Sequence, residues 1–156
     1  MLPFHRPSIT EDEIAAVGAG LRSGWLTTGA KAKEFERLFA AQVGAKHAVA
    51  VNSCTAAMHL ALEAIGLRRG DLVLVPTMTF AATAEVVRYF DAIPVFVDCD
   101  PVTLTIDVAA ARATLEALRA GKPVPGVPDP KGHEVRAILP VHYGGQMADV
   151  FGVRAL

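Results

Sequence analysis

Cysteine is nearly absent from this chain. Cys54 and Cys99 are its only two among 156 residues, too few and too far apart for a disulfide framework or a zinc knuckle. Both are expected to behave as small, buried, near-apolar side chains. An excess of charge of one sign is also missing: 15 Lys and Arg against 16 Asp and Glu leave a net charge of −1. Phosphate-backbone binding needs clustered positive charge, and no basic block is present, so nucleic acid is not an expected partner. No apolar run approaches the ~20 residues that span a bilayer, and no basic-then-apolar leader opens the chain, so no membrane role and a cytoplasmic location are expected. The histidines (His5, His47, His59, His133 and His142) show no metal-ligand spacing, and no metal site is expected. Neither a G-x-G-x-x-G nor a Walker lysine motif occurs, which weakens a generic nucleotide-binding reading. Internal repeats and low-complexity tracts are missing too.

Apolar residues, by contrast, are abundant. They make up 52% of the chain, and mean hydropathy is +0.36, as in a sheet covered on both faces. β-rich runs recur at residues 48–51, 72–75, 94–97 and 137–141, separated by helical patterns near 55–65, 81–90 and 108–118. That alternation predicts an α/β fold with a mostly parallel sheet and flanking helices. Two further helices are predicted ahead of the sheet. One follows the cap-and-acid run Ser8-Ile9-Thr10-Glu11-Asp12-Glu13 and reaches about Leu21. The other covers residues 31–42, with Phe35, Leu38 and Phe39 on one apolar face. The expected organisation is therefore a helical segment over residues 1–45 and an α/β part over 46–156. Residues 121–132, GKPVPGVPDPKG, hold four prolines and three glycines and predict a long surface loop. Residues 149–156 read as the opening of another helix, so the α/β pattern looks truncated.

The stretch AVAVNSCTAAMHLAL, residues 48–62, predicts a strand, a small polar turn and a helix opening directly after it. The first amides of such a helix and the positive end of its dipole suit an anion such as phosphate. A plain Ser or Thr helix cap explains the same residues. Asp98 and Asp100 flank Cys99 like a carboxylate pair, but Asp-x-Asp-Pro at a strand end is ordinary turn chemistry, and no catalysis is assigned to them. His142 and Tyr143 end the fourth predicted strand, where a hydrogen-bonded structural histidine is the simpler reading.

Five segments occur in a telling order. Gly24-Trp25-Leu26-Thr27-Thr28-Gly29 lies between the first two helices. Asn52-Ser53-Cys54-Thr55-Ala56-Ala57 follows the first predicted strand, Pro76-Thr77-Met78-Thr79-Phe80-Ala81-Ala82-Thr83 the second and Val97-Asp98-Cys99-Asp100 the third. Pro140-Val141-His142-Tyr143-Gly144-Gly145-Gln146-Met147-Ala148-Asp149 follows the fourth. Together they resemble the N-terminal part of the DegT/DnrJ/EryC1/StrS family of pyridoxal-phosphate-dependent sugar aminotransferases. Within it, the subgroup that aminates UDP-4-keto-arabinose looks nearest, from Leu2-Pro3-Phe4 onward.

The resemblance implies part of the large domain of the aspartate-aminotransferase (type I) fold, with pyridoxal phosphate as cofactor. It implies that Thr55 and Ala56 hold the cofactor phosphate, that Ser53 and Cys54 shape the turn, and that Phe80 stacks on the pyridine ring. A buried core phenylalanine is the plainer reading of Phe80. Thr83, one turn on, is a further candidate for that pocket. Trp25, Thr27 and Thr28 correspond to the segment near the substrate entrance, although a loop capping the next helix is a simpler account. Glutamate, 2-oxoglutarate and a nucleotide-linked keto-sugar are the implied substrates, and a homodimer the implied assembly.

The Schiff-base lysine and the aspartate that protonates the ring nitrogen have no match in this chain. Lys31, Lys33, Lys46, Lys122 and Lys131 follow no family-like motif, so no catalytic residue is assigned. The expectations are therefore either the N-terminal portion of a sugar aminotransferase or a catalytically inactive remnant able at most to bind phosphate, cofactor or a subunit. In either case an unfinished sheet predicts poor solubility when the chain is expressed alone.

Overall fold

The computed structural model describes residues 5–156; the Leu2-Pro3-Phe4 opening lies outside them. Two compact units are present, residues 1–52 and 53–156.

The first unit holds helices α1 (Glu11–Arg22) and α2 (Ala30–Val43). α1 starts with a capping box in which Thr10 and Glu13 satisfy each other's backbone amides, as the Thr-x-x-Glu spacing dictates. α2 ends at Gly44, whose φ of 67° is the left-handed conformation that lets a chain leave a helix cheaply. Phe35 and Phe39 lie one turn apart with ring centroids at 5.7 Å, so the apolar face is formed, yet both rings remain half exposed and Ala40 is the helix's buried residue. Residues 48–51 are not a strand. Val49 is 77% exposed, and the amide of Ala50 donates to a Glu36 carboxylate oxygen at 2.9 Å. The run has strand-like composition, but a strand also needs a neighbouring ladder, and among the described residues no strand pairs with it.

The second unit is the α/β part. Its elements run α3 (Cys54–Ala64), β1 (Leu72–Pro76), α4 (Ala82–Arg88), β2 (Ile93–Val97), α5 (Val108–Arg119), β3 (Val135–Ile138), a 3-10 turn (Tyr143–Gly145) and α6 (Val150–Arg154). The strands are parallel in the order β2-β1-β3, so the predicted βαβ alternation holds. β1, the central strand, is buried at all five positions, because both its neighbours and both its faces are covered. Alternate residues serve opposite faces. Leu72 and Leu74 pack with Val95, Val97, Ile106, Ala111, Leu115 and Leu118 on the α5 side. Val73 and Val75 pack with Leu62, Leu67, Val86, Val87 and Ala92 on the α3–α4 side.

The loop over residues 121–132 is irregular, as its prolines require, but not purely a surface loop. Val127 is buried in the α5-side core and pairs with Val124 across a tight turn. An apolar side chain here seals the end of the core, which loop composition does not reveal. The predicted strand over 137–141 begins earlier and ends at Ile138. The expected last helix is present as α6, capped by the Asp149 carboxylate accepting from the Gly152 amide at 2.8 Å.

Candidate functional site

The turn into α3 is built from Ser53. Its backbone is extended (φ −159°, ψ 158°), and its hydroxyl accepts from the Ala56 amide at 3.1 Å, as an N-cap serine does. Ala56 therefore already has an acceptor. The amides of Cys54 and Thr55 have none among the described residues and, together with the half-buried Thr55 side chain, form the anion-attracting end of an 11-residue helix. Cys54 is exposed and Cys99 half-buried, correcting the expectation of two buried thiols. Cys54 occupies the first helical position, on the same stripe as Met58 and Leu62 but two turns short of Leu62, the buried residue of α3.

Topology brings this turn and Phe80 to one edge of the sheet. α3 leads into the start of β1, and α4 leaves from its end. Both helices therefore run against the strand, and both N-termini lie at its C-terminal edge, where open parallel sheets place ligands. The two helices also meet through His59, whose ring packs edge-on against Tyr89 and Phe90 at 5.3 and 5.1 Å. Phe80 is 82% exposed, so the plain reading of it as a core phenylalanine is excluded. Thr83, in the first turn of α4, is only 4% exposed, and its hydroxyl pairs with that of Thr79 at 2.8 Å.

Two features of this edge escaped the sequence reading. One is Thr79, for which the i, i+4 spacing to Thr83 was an available signal. The other is the Cys99 sulfur, which accepts from the Met78 amide at 3.4 Å and from the Thr77 hydroxyl at 3.7 Å. Nothing in the sequence announces that pairing, because it depends on β1 and β2 lying side by side.

Asp100 does turn chemistry. One carboxylate oxygen accepts from the amides of Thr103 (2.7 Å) and Val102 (2.9 Å), and these bonds, Thr103's first, hold its carboxyl below the usual carboxylate range. The backbone carbonyl of Asp98 accepts from the Asp107 amide at 3.0 Å. The His142 imidazole accepts from the Ala148 amide at 3.0 Å, the structural role expected of it. Lys122 and Lys131 sit in the loop joining α5 to the start of β3. That is the opposite edge of the sheet from Phe80, separated by the length of β1, roughly 17 Å.

Trp25, Thr27 and Thr28 belong to the first unit. With Ala19, Ser23 and Lys31 they line a cavity of about 630 Å³ there. The indole N–H of Trp25 donates to the Thr28 carbonyl at 3.1 Å. The ring lies so close to Gly29 that a Cβ at that position would collide with it. Gly29, which has no side chain, starts α2 without a side-chain cap.

Comparison with known proteins gives the arrangement its context. The family model described as the DegT/DnrJ/EryC1/StrS aminotransferase family matches residues 7–156. The spore coat polysaccharide biosynthesis protein SpsC of Bacillus subtilis is 43% identical over 155 residues, covering 99% of this chain and 36% of that protein. Among solved structures, a candidate sugar aminotransferase of Streptococcus pneumoniae in its PLP form shares 33% identity at a TM-score of 0.80, covering 99% of this chain and 35% of that one. NtdA of Bacillus subtilis, with bound cofactor PMP, shares 27% identity at a TM-score of 0.75, over 93% of this chain and 30% of that one. The chain thus spans about a third of the length of these relatives. Its parallel sheet and flanking helices match the fold type I aminotransferase structures over that span. This chain belongs to the DegT/DnrJ/EryC1/StrS aminotransferase family.

Proposed function

We propose that this chain supplies the phosphate-holding and ring-facing part of a pyridoxal-phosphate-dependent aminotransferase that moves an amino group from glutamate to a nucleotide-linked keto-sugar. Phe80 carries the reading: a large aromatic ring stands 82% exposed at the sheet edge that also carries the start of α3. An exposed ring beside a helix N-terminus fits a flat, phosphorylated cofactor. The ring covers the planar part, and the helix start meets the dianion. The PLP and PMP forms of two relatives support the same identity for the group. When bound, pyridoxal phosphate supplies an electron sink for the amino group in transit.

The roles of this chain's own residues follow. Thr55, through its amide and hydroxyl, and Ala56, through an amide shared with Ser53, hold the phosphate. Ser53 fixes the turn that presents them, and Phe80 stacks on the ring and excludes water from one face. Trp25, Thr27 and Thr28 contact the sugar substrate. Proton transfer belongs to none of these residues. Lys122 and Lys131 stand at the opposite edge of the sheet from Phe80, none of the five lysines follows a family-like motif, and the proposal places the Schiff-base lysine and the ring-nitrogen carboxylate elsewhere in the intact enzyme.

In this proposal the chain is part of the cofactor-binding large domain of a cytoplasmic homodimer. No described helix is long and apolar enough to cross a membrane. The narrower acceptor is a UDP-4-keto-arabinose, on the strength of the motif order through Val141-His142-Tyr143-Gly144-Gly145.

Two measurements test the proposal. The intact protein, given glutamate and UDP-4-keto-arabinose, is expected to release 2-oxoglutarate; no release with this or any other nucleotide keto-sugar overturns the substrate assignment. The 156-residue chain, titrated with PLP and treated with borohydride, is expected to retain no stoichiometric lysine adduct. A trapped adduct on one lysine would overturn the assignment of the catalytic lysine elsewhere.

A further inference from the structure

We infer that Thr83 is a positioning residue: through Thr79, and together with the Cys99 sulfur, it fixes the loop that presents Phe80. The inference rests on the proposed role of Phe80 as the ring platform. Its own support is geometric. Every residue between the end of β1 and Phe80 is tied down. The Thr77 amide donates to the Val97 carbonyl at 2.9 Å, and the Thr77 hydroxyl and the Met78 amide both donate to Cys99 Sγ. Thr79 pairs with Thr83 through their hydroxyls, and the Thr83 amide donates to the Phe80 carbonyl at 3.0 Å. The Phe80 side chain itself gains almost no burial from these bonds.

Core packing does not account for that arrangement. At 4% exposure the Thr83 site would accept valine, which has the same shape and no hydroxyl to satisfy. A buried hydroxyl requires a partner, and threonine in a helix usually finds one in a backbone carbonyl one turn back. Thr83 instead reaches the side chain of Thr79, the residue adjacent to Phe80. Fixing a loop before a ligand arrives removes an ordering cost from binding. The bonds to sulfur are weaker, since a thiol is a poor acceptor, so Thr83 carries the larger share.

The test compares Thr83→Val, which deletes the hydroxyl, with Thr83→Ser, which keeps it, in the intact protein freed of its cofactor. Amide hydrogen exchange needs no ligand. In Thr83→Val, exchange across residues 77–80 is expected to quicken about fivefold, the factor a neutral hydrogen bond contributes. Amides of β1 and of Val86 and Val87 should hold their rates, and Thr83→Ser should restore the loop. Unchanged exchange in the loop, or an equal rise throughout the second unit, overturns the inference.

Binding of pyridoxamine 5′-phosphate and of inorganic phosphate, each followed by titration, adds the functional readout. Thr83→Val should weaken the former about fivefold, leave the latter alone, and have no further effect once Phe80 is alanine. Equal weakening in the Phe80→Ala background also overturns it. If the unaltered protein binds pyridoxamine 5′-phosphate no better than phosphate, the platform role of Phe80 fails instead, and loop exchange still decides the part played by Thr83.

Discussion

β1 and the loop that follows it are adjacent in the chain and held in opposite ways. The five residues of β1 are all buried and are fixed by apolar packing on two faces. The next four, residues 77–80, are mostly exposed, and hydrogen bonds to Val97, Cys99 and Thr83 fix them. Packing is the cheaper way to hold a segment, because burial itself is favourable. Holding an exposed aromatic by polar bonds adds little to folding and keeps a surface in readiness, as the proposed role of Phe80 requires.

The largest effect that distinguishes them should come from the strand. Leu74→Ala removes a fully buried side chain from the α5-side core and should cost about 2–5 kcal/mol of unfolding free energy by urea titration. Phe80→Ala should do the converse. It should change the melt by about 0.5 kcal/mol or less while lowering affinity for pyridoxamine 5′-phosphate by roughly tenfold, the upper end of what one stacked ring provides. A large loss of stability in Phe80→Ala would collapse the contrast, because the ring would then belong to the core.

Ser53→Ala lies between the two. Loss of the bond to the Ala56 amide should cost about 1 kcal/mol, measurable as a lower denaturation midpoint. The smallest effect concerns acid. Asp100 accepts amide bonds from Thr103 and Val102, and Glu13 accepts from the Thr10 hydroxyl and amide; both carboxyls are thereby held below their ordinary values. Each is more acidic folded than unfolded. Their contribution is therefore complete above the unfolded carboxyl pKa and fades as pH falls through the folded value. Asp100→Asn should narrow the gap in melting temperature between neutral and acidic buffer. A gap of unchanged size would show that the turn does not depend on the anion.

Much of the local structure around the candidate site was legible because it depends on near neighbours. Ser53 capping the next helix, the apolar run of β1 and the turn at Asp100 each depend on residues a few positions apart, and short-range spacing encodes them. What was misread was non-local. The residues at 48–51 have the composition of a strand but no ladder to join among the described residues. Val127 looks like part of a loop yet closes a core whose other walls come from α5 and the sheet. Cys99 looks like a small apolar residue and acts as an acceptor for a loop more than twenty positions earlier.

By itself the sequence determined the alternation of strands and helices, the motif order that marks the family, and the identity of the residues at each strand end. Hydrophobic period and turn chemistry are properties of a few neighbouring residues, so they survive without knowledge of the fold. Only the tertiary structure decided that the α3 turn and Phe80 share one edge of the sheet while Lys122 and Lys131 stand at the other. It also decided that Phe80 is presented rather than buried. Those outcomes depend on strand order, crossover direction and which side chains cover which face, and the chain acquires them only when distant segments pack.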